Sequence, residues 1–183
     1  MKIADLTCRL VKIWDVPKYF DTINVTINNT YPGAGRLTLT ADSSSWSHYW
    51  NTIGEDRTLE QFILDSPVDY LVDKLGNGIS STQHDDSEDS CKDVLQTAVI
   101  KLRRDRDISA HEARKIWNEI DDGGSLYTRF SFEGELMICD HIQNVEWKII
   151  PNPRYQRLEY AVIKMREALT QLQEQADEKA RTE

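Results

Sequence analysis

Ile23, Val25 and Ile27 alternate with Asn24, Thr26 and Asn28. After the turn-forming stretch Asn29-Thr30-Tyr31-Pro32-Gly33-Ala34-Gly35 the alternation resumes through Arg36-Leu37-Thr38-Leu39-Thr40-Ala41. A period of two sends successive side chains to opposite faces of a strand, so each run carries one apolar and one polar face. Joined across Pro and Gly, the two runs predict a hairpin whose apolar face needs a cover. Leu6, Cys8 and Leu10, alternating with Thr7 and Arg9, predict a strand before it with those three on the apolar side. Trp46, His48 and Trp50 predict a strand after it, ended by Gly54.

The cover is helical. Leu59, Phe62 and Ile63 recur at helical spacing, and Ser66-Pro67 starts a short helix through Leu71 and Leu75 to Gly76. Residues 77–89, including His84-Asp85-Asp86-Ser87-Glu88-Asp89, are turn formers and like charges, which predicts an exposed loop and a possible subdomain boundary. Cys91, Leu95, Ala98 and Leu102 repeat at helix spacing. Ser109 with Glu112 makes a capping-box pattern before Ala113, Ile116, Trp117 and Ile120, and Asp122-Gly123-Gly124 stops that second helix. Strand-like material returns at Phe130, Phe132, residues 136–139, Val145, Trp147 and Ile149, and Pro151-Asn152-Pro153 ends it. Leu158, Val162, Met165, Leu169, Leu172 and Ala176, spaced alternately four and three apart, predict a long amphipathic C-terminal helix. That stripe either docks on its own domain or pairs with a second copy as a homodimer through Leu158, Val162, Met165, Leu169 and Leu172.

The expectation is therefore an α+β fold: an antiparallel sheet with an N-terminal hairpin, packed by several helices. With 183 residues, 39% of them hydrophobic, a single domain over residues 1–176 is the economical organisation, with residues 177–183 as a frayed polar tail. No run approaches the ~20 apolar residues of a spanning helix, and the N-terminus lacks the apolar stretch of a secretory signal, so a cytoplasmic protein is expected. Three cysteines cannot all pair within one chain. The balance of 31 acidic against 22 basic residues, a net charge of −9, argues against sequence-blind adhesion to phosphates and favours basic partners.

Four constellations carry chemistry that a sequence can suggest. The first is Arg36 with Trp46, His48, Tyr49 and Trp50. On a strand Trp46, His48 and Trp50 share one face and Tyr49 takes the other, which allows one side to be core and one a contact surface; the alternative reading is that these aromatics simply fill the core behind the sheet. Arg, Trp and Tyr dominate binding interfaces because they remove large areas from water while keeping a polar handle. The second is the basic interval of Lys101, Arg103, Arg104, Arg106, Arg114 and Lys115, which two helices and a short joint would present as a helix-turn-helix reader of nucleic acid; interleaved Asp105, Asp107, Glu112 and Glu119 equally describe a solvated, salt-bridged surface. The third is Cys139 and His141, two apart and about 7 Å between α-carbons on a strand, as a shared soft metal site or a thiol–imidazole pair needs. Further metal ligands would have to come from Cys8, Cys91, His48, His84 or His111. The fourth, Pro32-Gly33-Ala34-Gly35-Arg36, lacks the third Gly of a dinucleotide fingerprint and the Gly-Lys-Ser/Thr of a P-loop, and a strand follows it where a phosphate loop needs a helix, so it reads as a turn. The acidic run after His84 lacks the spacing and Gly of an EF-hand.

Several segments together resemble a family of small proteins encoded by temperate tailed phages and prophages of enteric bacteria. They are Tyr31-Pro32-Gly33-Ala34-Gly35-Arg36-Leu37-Thr38-Leu39, Trp46-Ser47-His48-Tyr49-Trp50-Asn51-Thr52-Ile53-Gly54 and Tyr70-Leu71-Val72-Asp73-Lys74-Leu75, with Arg103-Arg104-Asp105-Arg106-Asp107-Ile108-Ser109 to Ala113-Arg114 and Pro151-Asn152-Pro153-Arg154-Tyr155. The chain departs from that pattern at Ala41-Asp42-Ser43-Ser44, where relatives tend to carry a cysteine, an aromatic and a glycine. The resemblance implies a phage accessory protein made inside the host cell. Such proteins act on host defence machinery or in phage DNA metabolism, and the resemblance supplies no activity for particular residues. The expectation is a non-enzymatic binding protein, without a cofactor, that engages a host or phage protein through Arg36, Trp46, His48, Tyr49 and Trp50. Nucleic-acid binding through Arg103, Arg104, Arg106, Arg114 and Lys115 is the alternative, and a thiol or metal enzyme at Cys139 and His141 the second alternative.

Overall fold

The computed structural model describes residues 8–121 and 147–182. Two compact units divide the chain, residues 1–81 with 152–183 and residues 82–151. Sequence pattern places one boundary inside 77–89, and the chain crosses at Ser81–Thr82; it crosses again at Pro151–Asn152, where two prolines flank Asn152. The fold is α+β, as expected.

The first unit holds a four-stranded antiparallel sheet in the order β1 (Arg9–Trp14), β2 (Thr22–Tyr31), β3 (Ala34–Ala41), β4 (Ser44–Trp50). Tyr31 pairs with Ala34 across Pro32 and Gly33, and Gly33 sits at φ +80. Only a residue without a Cβ takes that left-handed position freely, and Pro before it presets the first turn residue, so the Pro-Gly order itself fixes the hairpin. The register Ile23↔Ala41, Val25↔Leu39 and Ile27↔Leu37 puts all six side chains on one face, where each is buried.

That face is covered by α1 (Leu59–Asp65), α2 (Val68–Gly76) and the first half of a C-terminal helix, α5 (Pro153–Thr182), all sharing one hydrophobic cluster with the sheet. Thr58 starts α1 with a complete capping box: the Gln61 amide donates to Thr58 Oγ1 and the Thr58 amide donates to Gln61 Oε1. On α5, Leu158, Val162, Met165 and Leu169 are buried in this cluster, with Leu172 packed on its margin. The stripe thus packs on its own unit, the first of the two uses its spacing allows, with Leu158, Val162, Met165 and Leu169 buried there. The helix does not fray at residue 177. It continues through Thr182, with its last turns exposed and mostly polar.

β1 differs from expectation in its parity. Val11 pairs with Val25 and is buried while Leu10 is 66% exposed, so the strand turns Val11 and Ile13 to the core. Cys8 is exposed and precedes the strand. The run Val11, Ile13 with its β-branched side chains wins over Cys8 and Leu10, because pairing with β2 fixes the register and a slip of one residue would bury Lys12.

The second unit contains a two-stranded ribbon and a helical hairpin. The ribbon pairs β5 (Thr82–His84) with β6 (Ile149–Pro151), so part of the stretch expected as loop is a short strand. Next come α3 (Glu88–Asp105) and α4 (Ala110–Asp121), which bury Leu95, Val99, Ile108, Ile116 and Ile120 against one another. The Ser109–Glu112 capping box is present in both directions, 2.8 Å from the Ser109 amide to Glu112 Oε2 and 3.2 Å from the Glu112 amide to Ser109 Oγ. The strand pattern expected over residues 130–145 lies outside the described residues.

Candidate binding face of the sheet

β4 divides its aromatic residues as a period of two requires. Trp50 is 5% exposed, donates from Nε1 to the Tyr70 hydroxyl at 3.0 Å and packs its ring against Phe62. Trp46 is half-buried against Phe20, and His48 lies edge-on to Trp50 with ring centroids 4.5 Å apart. These three belong to the side that faces the core. Trp50 is therefore a core residue and not a contact residue, a correction to the expected set, because its indole reaches a hydrogen-bond partner only inside the helix-covered layer. Burial pushes the His48 imidazole below its ordinary pKa of 6.5, and the charge of Lys74 pushes the same way.

Tyr49 takes the opposite face and meets Arg36, its direct cross-strand partner. The guanidinium carbon lies 5.6 Å from the ring centroid, a cation–π distance. Tyr31, at the hairpin end, interacts with Tyr49, whose side chain holds the Tyr31 hydroxyl above its ordinary pKa of 10.0. Sequence reasoning found Arg36 and Tyr49 and missed Tyr31, although Tyr31 was visible as the residue before the turn.

The register extends this face into rows. Lys12, Asn24, Thr40 and Ser45 face one another across the four strands, as do Leu10, Thr26, Thr38 and Ser47, and Asn28, Arg36 and Tyr49 form the row beside the hairpin. Thr38 and Ser47 hydrogen-bond through their hydroxyls at 2.9 Å. None of these eleven positions is an Asp or Glu, in a chain that carries 31 of them, whereas Lys12 and Arg36 are both here and both exposed. Leu10 at 66% and Trp14 at 69% exposure stand on the β1 side of the face, and Tyr31 at 53% stands at its hairpin end. An apolar rim around an uncharged Thr/Ser/Asn field with two cations brings together side chains of the kinds that interfaces use: large ones that displace water and short polar ones that retain donors and acceptors.

The basic residues of the second unit divide as well. Arg103 and Arg114 come together beside Trp117 and Asn118 in a depression between α3 and α4. Arg104 and Lys115 are exposed on the helices but are not part of it, and Arg106 occupies the left-handed cap position that ends α3, at φ 68. Cys139 and His141 lie outside the described residues. Among the described residues, no group of three His, Cys, Asp or Glu side chains is placed to hold a metal ion, and no helix is long and apolar enough to cross a membrane. Cys91 is buried, which pushes its thiol up and makes it a poor nucleophile.

A family model described as a phage family matches residues 1–171. The chain belongs to that phage family. No curated protein and no solved structure matches it. The match spans both units, so the four-stranded sheet and the α3–α4 hairpin are parts of one phage-family chain.

Proposed function

We propose that this phage-family protein is an accessory factor that works by binding another protein through the open face of its four-stranded sheet, not by turning over a substrate. The observation that supports this reading is the segregation of charge. Acidic residues outnumber basic ones by 31 to 22 along the chain, yet the sheet face displays Lys12, Arg36, Tyr49, Leu10 and Trp14 with no carboxylate among its paired positions. Composition alone favours a basic partner; the local surface fits a partner that is neutral or acidic where it meets the sheet, because like charges facing each other cost affinity and opposite ones speed encounter. A protein surface suits this face better than a nucleic acid: two cations spread over a wide field neutralise few phosphates, so little counterion release is available. The partner class is a host or phage protein, including the defence and DNA-processing complexes that accessory proteins of temperate enteric phages engage.

The test is affinity purification of the tagged chain from infected cells, comparing wild type with Arg36→Ala and Tyr49→Ala by mass spectrometry. The expected result is a protein recovered with wild type and lost with both variants, whose melting curves match wild type. Recovery unchanged by either variant removes the proposal, and salt-sensitive retention of single-stranded DNA lost in the same variants would reassign the face to nucleic acid.

A further inference from the structure

The second unit carries a feature that the sheet does not explain. Between α3 and α4 lies a depression of about 480 Å³ in which Ile100, Ala110, Ala113 and Trp117 supply apolar surface and Arg103 and Arg114 supply charge. Ile100 is 49% exposed there, although its neighbour Val99 is buried in the hairpin core. Among the described residues, no carboxylate lines the depression. We infer that this groove is a second docking site, and that its occupant is an amphipathic helical segment of a partner protein with apolar side chains flanked by carboxylates.

Three features of the hairpin select that occupant. Charge complementarity comes first: the groove pairs exposed apolar surface with two guanidinium groups on opposite helices, which suits an apolar stripe lying in the groove and acids reaching out to either side. Arginine adds its own specificity, since a planar fork matches a carboxylate with two hydrogen bonds. The second observation weighs against duplex DNA. A helix-turn-helix reader sends the N-terminal end of its second helix at the bases, and here that end carries Glu112, held on the Ser109 amide, next to Asp105 and Asp107, all exposed. Those carboxylates would meet phosphates, whereas an acidic peptide in the groove avoids them by lying along the helices beyond the turn. The third is rigidity. The hairpin is capped at both sides of its joint, at Arg106 and at Ser109, so the groove exists before a ligand arrives and little ordering is needed on binding.

The probe is a random peptide library selected on the intact protein, with an Arg103→Glu/Arg114→Glu double variant as counter-selection and Ile100→Glu as a second, independent variant at an exposed position. Enriched sequences should combine Asp and Glu with apolar residues at helical spacing. A labelled peptide from that set should lose about tenfold or more in affinity for the double variant, with circular dichroism and melting unchanged, and should also weaken on Ile100→Glu. The inference fails if the enriched peptides are neutral or basic, if nothing is enriched, or if selected peptides bind the double variant as well as wild type. It fails equally if duplex DNA binds with the same arginine dependence while peptides do not. None of these readouts involves Arg36 or Tyr49, so the groove and the sheet face stand or fall separately.

Discussion

Arg36 and Tyr49 face each other across β3 and β4, with the guanidinium carbon of one 5.6 Å from the ring centre of the other, on the side of the sheet that the helices leave open. One strand position further on, the indole of Trp50 points through the sheet into the core and reaches Tyr70. Neighbouring residues of one strand are thus committed to different tasks, and substitution separates them. Tyr49→Ala removes a cross-strand cation–π contact and should cost about 1 kcal/mol or less, with partner binding abolished. Trp50→Ala opens a cavity beside Phe62 and should cost about 3–5 kcal/mol. Chemical denaturation of both variants beside a partner-capture assay checks the pair of outcomes; equal destabilisation would mean that Tyr49 is structural.

His48 gives the sheet edge a pH dependence whose sign follows from its direction of shift. Burial first, then the Lys74 charge, push the imidazole below its ordinary pKa in the folded state, opposed by a backbone hydrogen bond at Lys74, with a smaller downward push from Arg36 and an upward one from Asp73. Above the ordinary value of 6.5 both folded and unfolded forms are neutral and the residue is silent. As pH falls through 6.5 the unfolded chain takes up a proton that the folded chain refuses, so stability is lost, and the loss stops growing once pH passes below the folded-state value. Replacing His48 with Asn should flatten that limb of the stability profile, read as melting temperature between pH 5 and 8.

The end of α3 offers a substitution that should stabilise. Arg106 caps the helix in the left-handed region at φ 68, its amide donating to the Leu102 carbonyl, and the Asp107 amide donates to the same carbonyl at 3.0 Å. A Cβ there costs about 1 kcal/mol, which glycine does not incur, partly offset by glycine's greater freedom when unfolded. Arg106→Gly should therefore slow hydrogen exchange of α3 and α4 amides by a few-fold, and it should leave the groove's acidic-peptide preference intact, since Arg106 does not line it.

Much of this architecture was legible because its cause is local. The Pro32-Gly33 turn, the Ser109 cap and the alternation in β2, β3 and β4 each depend on residues within a few positions of one another, and each element appears where those signals put it. What the local pattern misjudged was the parity of β1, and what it left open was the partner of the α5 stripe; neither is local. Leu6, Cys8 and Leu10 alternate as well as Val11 and Ile13 do; only pairing with Val25 decides which set goes inward. The leucine stripe of α5 is equally suited to a sister helix or to a sheet, and the apolar face of β2 and β3 claims it. For the site, the period of two correctly separated Tyr49 from Trp46, His48 and Trp50 but not which side faced solvent. The absence of carboxylates from the rows Lys12 to Ser45 and Leu10 to Ser47 becomes visible only when four strands are laid in register.

The tripeptide Pro151-Asn152-Pro153 ends a strand pattern in the sequence, and the structure gives its middle residue a larger role. Asn152 is 8% exposed and sits where the chain returns to the first unit. Its backbone amide donates to the Ser81 carbonyl and its Nδ2 to the Ser80 carbonyl, both at 2.9 Å, so the returning strand is tied to the departing one. Its Oδ1 accepts from the Arg154 amide at 3.0 Å, capping α5, while Pro153 fills the first helical position, where no amide is needed. One side chain thus joins the two crossings and starts the helix that carries Leu158, Val162, Met165 and Leu169 into the core. Asn152→Ala keeps the backbone bond and loses both side-chain bonds, for a cost of about 2 kcal/mol. Asn152→Ser can still cap α5 but is too short to reach Ser80, so its stability should fall between wild type and Ala. Denaturant midpoints for the three proteins read the order directly, and a Ser variant no better than Ala would mean that the tie to Ser80, not the cap, carries the effect.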